Sequence, residues 1–115
     1  MKTIRYREIE IAGTWCKVKV YNWPLIESLP SNGGVYIAAQ AASHLKTFNI
    51  LRAGQHRNLN IIIENTKISE SINTLKATYL LIYETENIEE RKSIVDMLVY
   101  KSNGDIKPIG SRYHQ

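Results

Sequence analysis

Between Thr78 and Glu84 the chain carries the run Tyr79-Leu80-Leu81-Ile82-Tyr83, and this segment constrains the fold more than any other. Aromatic and branched apolar residues in succession pack well on a pleated surface, so the run reads as a central strand. A central strand needs neighbours, and the remaining sequence offers four. Ile4 to Ile11 and Trp15 to Tyr21 alternate in character around Ala12-Gly13-Thr14, which predicts a hairpin within residues 1–22. Ser31-Asn32-Gly33-Gly34 is a turn leading into a strand from Val35 to Ala39. After a connection over Gln40 to Thr47, Phe48 to Ala53 reads as the next strand, with Gly54 ending it.

Helical signals fall between and after these strands. Pro24, after Trp23, stands at a favoured first-turn position for a short segment from Leu25 to Leu29, closed by Pro30. Asn58 can cap a helix from about Leu59 to Asn65, and Thr66 to Lys76 would hold its end and a second short helix. Asn87 followed by Glu90 forms a capping-box pattern. Beyond it, Ile88, Ile94, Val95, Leu98 and Val99 give an apolar face to a helix reaching about Lys101, which Asn103-Gly104 stops. Pro108 and Gly110 mark an irregular tail. The expected fold class is α/β in the broad sense, an α+β domain with a small mixed or antiparallel sheet flanked by helices.

A chain of 115 residues supports one core, so residues 1–115 are expected to form a single domain. Hydrophobic content of 43% with charged content of 23% excludes a disordered or fibrous class. Cys16 is the sole cysteine, which rules out an intramolecular disulfide and a cysteine-rich zinc site and points to a reducing, cytoplasmic setting. No stretch is long and apolar enough to suggest a membrane span, and no membrane partner is expected. The net charge of +4 is compatible with a polyanionic partner.

Gly33-Gly34-Val35-Tyr36-Ile37, followed by Leu51-Arg52-Ala53-Gly54-Gln55-His56-Arg57, resembles the paired strand motifs of the GIY-YIG nuclease superfamily, over residues 29–108. The likeness is to small stand-alone bacterial or phage members. The resemblance implies that Tyr36 matches the first-motif tyrosine, which helps to activate water, and that Gly54 keeps the turn glycine. It also implies losses. Arg52 stands at the second tyrosine position. Ile62, eight residues beyond Gly54, stands where active members place a phosphate-stabilising arginine, and Thr66 where a histidine or tyrosine often follows. Alignment on Leu98-Val99 sets Val95 at the metal-binding glutamate.

An isoleucine cannot stabilise developing phosphate charge, and a valine cannot coordinate Mg²⁺, which requires oxygen ligands. No catalytic residue, metal ligand or cofactor is therefore expected at the vestigial positions Tyr36, Arg52, Ile62, Thr66 and Val95. The leading expectation is a catalytically degenerate binding domain for DNA or RNA, with Arg52, Gly54, Gln55, His56 and Arg57 contacting phosphates at the mouth of a helix. A solvated turn with surface charges is the plainer account of the same residues. One alternative is a divergent Mg²⁺-dependent endonuclease using Tyr36 with Asp96 or Glu90. Another is a protein-interaction or inhibitory module from a mobile element.

Other features also admit two readings. Tyr36 is a remnant of a site or a core aromatic with its hydroxyl at the rim. Tyr6, Trp15, Tyr21 and Trp23 with Lys17 and Lys19 can stack bases, or can form a hairpin packed on one face with lysines outside. Ile61-Ile62-Ile63 cover more of a helix than one core stripe needs, which suits a homodimer or protein partner, or else Ile62 fills the space of the lost arginine. Cys16 reads as a buried thiol, and His44 and His114 as surface residues.

Overall fold

The computed structural model describes residues 5–11, 14–25, 27–41, 48–101 and 107–108. Strand β1 (Arg5–Ile11) pairs antiparallel with β2 (Thr14–Asn22), forming the expected hairpin. Strand β3 (Gly34–Ala41) pairs with β4 (Phe48–His56), and β5 (Tyr79–Glu84) lies between β2 and β3. All these pairings are antiparallel. Lys107–Pro108 forms β6, a two-residue strand parallel to β4, where an irregular tail is expected. The sheet order is β1-β2-β5-β3-β4-β6. The run of aromatic and branched residues from Tyr79 is thus central, as expected. Asn103-Gly104, His44 and His114 lie outside the described residues.

Helical elements cover both sides of the sheet. A 3-10 helix (Leu59–Glu64) and helix α1 (Thr66–Thr74) place Leu59, Ile62, Ile68 and Ile72 against Tyr36, Ala38, Leu80 and Ile82. Helix α2 (Ile88–Lys101) places Ile94, Val95 and Leu98 against Val18, Val35, Ile37 and Leu81 on the opposite face. Successive residues of a strand point to opposite faces, so Val35 to Ala39 serve two cores and are all buried.

Caps explain where these helices begin. The Asn58 side chain accepts the amide of Asn60 at 3.1 Å, and Asn65 accepts that of Ile68 at 3.1 Å. Asn58 caps a 3-10 turn rather than an α-helix. Asn87 Oδ1 accepts the amides of Glu89 and Glu90 at 2.9 and 3.0 Å, which is half of the expected capping box. The other half is absent, because Glu90 is drawn to the Tyr83 and Thr85 hydroxyls at 3.1 and 2.5 Å. The chain bends at Trp23, Pro24 and Glu27, with no helix among the described residues of the segment after Pro24.

Candidate nucleic-acid interface

The positions of the vestigial cleft do not converge. Ile62 is 1% exposed and lies in the core beneath the 3-10 helix, together with Tyr36. Val95 is fully buried on the other side of the sheet, among residues facing α2. Thr66 is exposed at the start of α1. The expectation of one shared cleft is therefore corrected: the sheet itself separates Tyr36 and Ile62 from Val95. Ile62 does fill a core, the plainer of its two readings.

Tyr36 is a core aromatic. Its ring fills the space above Gly54, where an added Cβ would meet the ring carbon Cζ and the hydroxyl oxygen at 2.6 Å. This contact also explains why Gly54 does not end β4, since the strand continues to His56. The glycine makes room for the ring and does not mark a turn.

The expected basic turn is likewise rearranged. Residues 52 to 56 lie within β4, so Arg52 and His56 share a strand face but stand about 13 Å apart along it. Gly54 and Gln55 are buried and cannot touch a large ligand. Gln55 points toward α2, where its Oε1 accepts the Arg91 Nε–H at 2.9 Å. Arg52 is half-buried and donates to the Leu51 carbonyl at 2.8 Å, while His56 Nδ1 accepts the Asn58 amide at 2.9 Å. Only Arg57 among the five is exposed.

The hairpin offers a broader surface. Cys16, Val18 and Val20 face α2, so Trp15, Lys17 and Lys19 occupy the other face of β2. In register, Lys19 lies opposite Tyr6 and Lys17 opposite Glu8. Trp15 is 65% and Tyr6 46% exposed. The Lys17 ammonium sits 4.8 Å from the centroid of the Tyr6 ring, within reach of its negative face. Lys19 is 3.8 Å from the Glu84 carboxylate and near both the Tyr6 and Tyr21 rings.

The carboxylates of the endonuclease alternative sit on α2. Glu90 is held by two hydroxyl donors and lines a groove of about 440 Å³ together with Trp15, Cys16, Lys17, Tyr83, Ser93, Ile94 and Met97. Asp96 is exposed, near Met97 on the outer side of the helix. Both are separated from Tyr36 by the sheet. Among the described residues, no group of three or more His, Cys, Asp or Glu side chains could hold a metal ion. No described helix is long and apolar enough to cross a membrane.

Burial also sets the titration behaviour. It pushes the Tyr36 phenol far above its usual value of about 10, and the Cys16 thiol upward as well, helped by the nearby Glu90 charge. The folded state thus keeps protons that the unfolded chain releases from about pH 8.5 upward, so stability falls as pH rises through that range. The urea midpoint should hold steady near neutrality and decline above about pH 9. A midpoint unchanged to pH 10.5 would contradict this burial assignment.

Compared with models of protein families, with curated proteins and with solved structures, the chain matches none.

Proposed function

We propose that this chain is a non-catalytic, nuclease-like domain that binds nucleic acid through the open face of its β1–β2 hairpin. The observation that carries this reading is the exposure of Trp15 and Tyr6 on one sheet face with Lys17 beside them. Aromatic faces stack bases, and lysines neutralise phosphates. Ile62 and Val95 lie in separate cores, so the two positions where the resemblance expects an arginine and a glutamate do not form one site, and this reading assigns them no catalytic role.

The test is fluorescence anisotropy of labelled oligonucleotides over a series of salt concentrations, with the DNA re-examined on a gel after incubation with Mg²⁺ or Mn²⁺. Binding without cleavage is the expected result. Lys17→Ala should reduce the slope of log affinity against log salt by roughly 0.7 to 0.9, the share of one phosphate. Cleavage that persists in a pure preparation and disappears in Tyr36→Phe would overturn the non-catalytic reading.

Ile61 and Ile63, 40% and 43% exposed on either side of buried Ile62, favour a protein partner as the second reading. A concentration-dependent dimer that Ile63→Asp dissolves, in a chain that binds no oligonucleotide, would put that reading first.

A further inference from the structure

We propose that the groove between α2 and strands β2 and β5 holds a small amphiphilic primary amine, with its ammonium at Glu90 and its apolar stem running toward Met97. The groove lies on the α2 side of the sheet, away from the hairpin face proposed for nucleic acid, so the two readings stand or fall separately.

Shape gives the first argument. Glu90, Ser93, Ile94 and Met97 line one wall, and their spacing of three and four places them in a single stripe along α2. Cys16 and Tyr83 line the sheet side. From Glu90 to Met97 the stripe runs about 10 Å along the helix axis and passes from a carboxylate through a hydroxyl to a branched alkyl group and a thioether. The groove is therefore polar at one end and apolar at the other. Its volume of about 440 Å³ falls within the range of small-molecule sites, about 300 to 1,000 Å³.

Charge fixes the sign of the occupant. Glu90 is the one carboxylate that lines the groove, and it makes no ion pair with a described residue. The Tyr83 and Thr85 hydroxyls donate to it at 3.1 and 2.5 Å, which holds the carboxylate in place without cancelling its charge. Burial, and then the Glu90 charge, raises the Cys16 thiol above its ordinary range, while burial, and then the bond to Glu90, raises the Tyr83 phenol. Both stay protonated at neutral pH.

Neither neighbouring cation answers Glu90. Lys17 follows Cys16 at the edge of the groove, but its ammonium lies 4.8 Å from the centroid of the Tyr6 ring, on the sheet face turned away from α2. Arg7 stands across Val18 in register and donates to the Tyr6 carbonyl at 3.1 Å. The Glu90 carboxylate, the Ser93 hydroxyl and the Tyr83 phenolic oxygen can all accept hydrogen bonds, which suits a primary ammonium with three N–H donors. A hydrocarbon stem matches Ile94 and Met97 beyond them.

The test is isothermal titration calorimetry of the full chain with n-hexylammonium, n-hexanol and hexanoate, with amide chemical shifts recorded to locate the site. n-Hexylammonium should bind roughly tenfold or more tightly than n-hexanol, and hexanoate more weakly than either, because a charge-assisted hydrogen bond separates them. Shortening the amine from hexyl to butyl should weaken binding by up to about fourfold for each methylene removed. Glu90→Gln keeps the size of the side chain and an acceptor for both hydroxyls, and it should reduce the affinity for n-hexylammonium to that for n-hexanol. Met97→Ser, at an exposed position, should lessen the dependence on chain length. Near-ultraviolet circular dichroism establishes that each variant is folded.

No measurable binding of n-hexylammonium, shifts confined to other parts of the chain, equal affinity for the butyl and hexyl amines, or a folded Glu90→Gln with unchanged affinity overturns the proposal. Tighter binding of Nα-acetyl-lysine amide than of n-hexylammonium would make the occupant a protein side chain and overturn the small-amine assignment.

Discussion

Replacing Arg91 by Met should lower the unfolding free energy by about 3 kcal/mol, although the substitution removes charge and adds apolar surface. Arg91 lies in the first turn of α2 and is only 3% exposed. Its Nε–H donates to Gln55 Oε1 at 2.9 Å, and Nη1 donates to the Thr85 carbonyl at 3.1 Å. One guanidinium therefore joins the end of β4 to the segment leaving β5. Hydrogen bonds from a charged donor are worth about 1.5 to 3 kcal/mol, and a buried acceptor left behind adds a cost of its own.

The same guanidinium lies beneath the start of β3. A Cβ on Gly33 would fall 2.5 Å from Nη1, so Gly33→Ala and Arg91→Met should be coupled: the alanine should cost less once the guanidinium is gone. Chemical denaturation of the two single variants and the double variant measures this coupling. Strictly additive losses would refute the clamp.

Arg91 was legible in the sequence through its spacing, yet its charge concealed it. Ile88, Arg91, Val95 and Leu98 recur at intervals of three and four, so the arginine occupies the apolar stripe of α2. A charged residue at such a position signals a buried polar contact, and Gln55, two residues beyond buried Ala53 on β4, is its counterpart from the strand side. Neither residue alone identifies the other, because their meeting depends on which face of the sheet α2 covers.

That choice of face is also what separates the vestigial positions. Alternation assigns Tyr36 and Val35 to opposite faces, but in a sheet covered on both sides each position of β3 is apolar, and the pattern carries no label for either layer. The strand run at Tyr79, the hairpin and α2 were legible because periodicity and capping are local signals. Gly54 was misleading for the opposite reason. A glycine in a strand reads locally as a break, whereas here its missing side chain is filled by Tyr36 from the neighbouring strand.

Gly34 gives the second large effect, for a cause unrelated to catalysis or turn formation. It opens β3 at the centre of the sheet, paired with Glu84 on one side and His56 on the other. A Cβ at this position would collide with the Tyr83 carbonyl oxygen and would lie 2.8 Å from Leu59 Cδ1 and 3.1 Å from Glu84 Cα. A side chain such as Leu59 can rotate to yield space, but the Tyr83 carbonyl and the Glu84 backbone can retreat only if β5 moves away from β3. Overpacking of a core costs typically about 1 to 3 kcal/mol, and a clash against paired backbone belongs at or above the upper end. Gly34→Ala should therefore destabilise the domain by about 3 kcal/mol and lower its melting temperature by roughly 10 °C. Amide hydrogen exchange should locate the damage, with protection lost first at the β3–β5 end near Gly34 and Glu84 and retained in the β1–β2 hairpin. A variant as stable as the parent chain would mean that the Tyr83 carbonyl does not lie against Gly34.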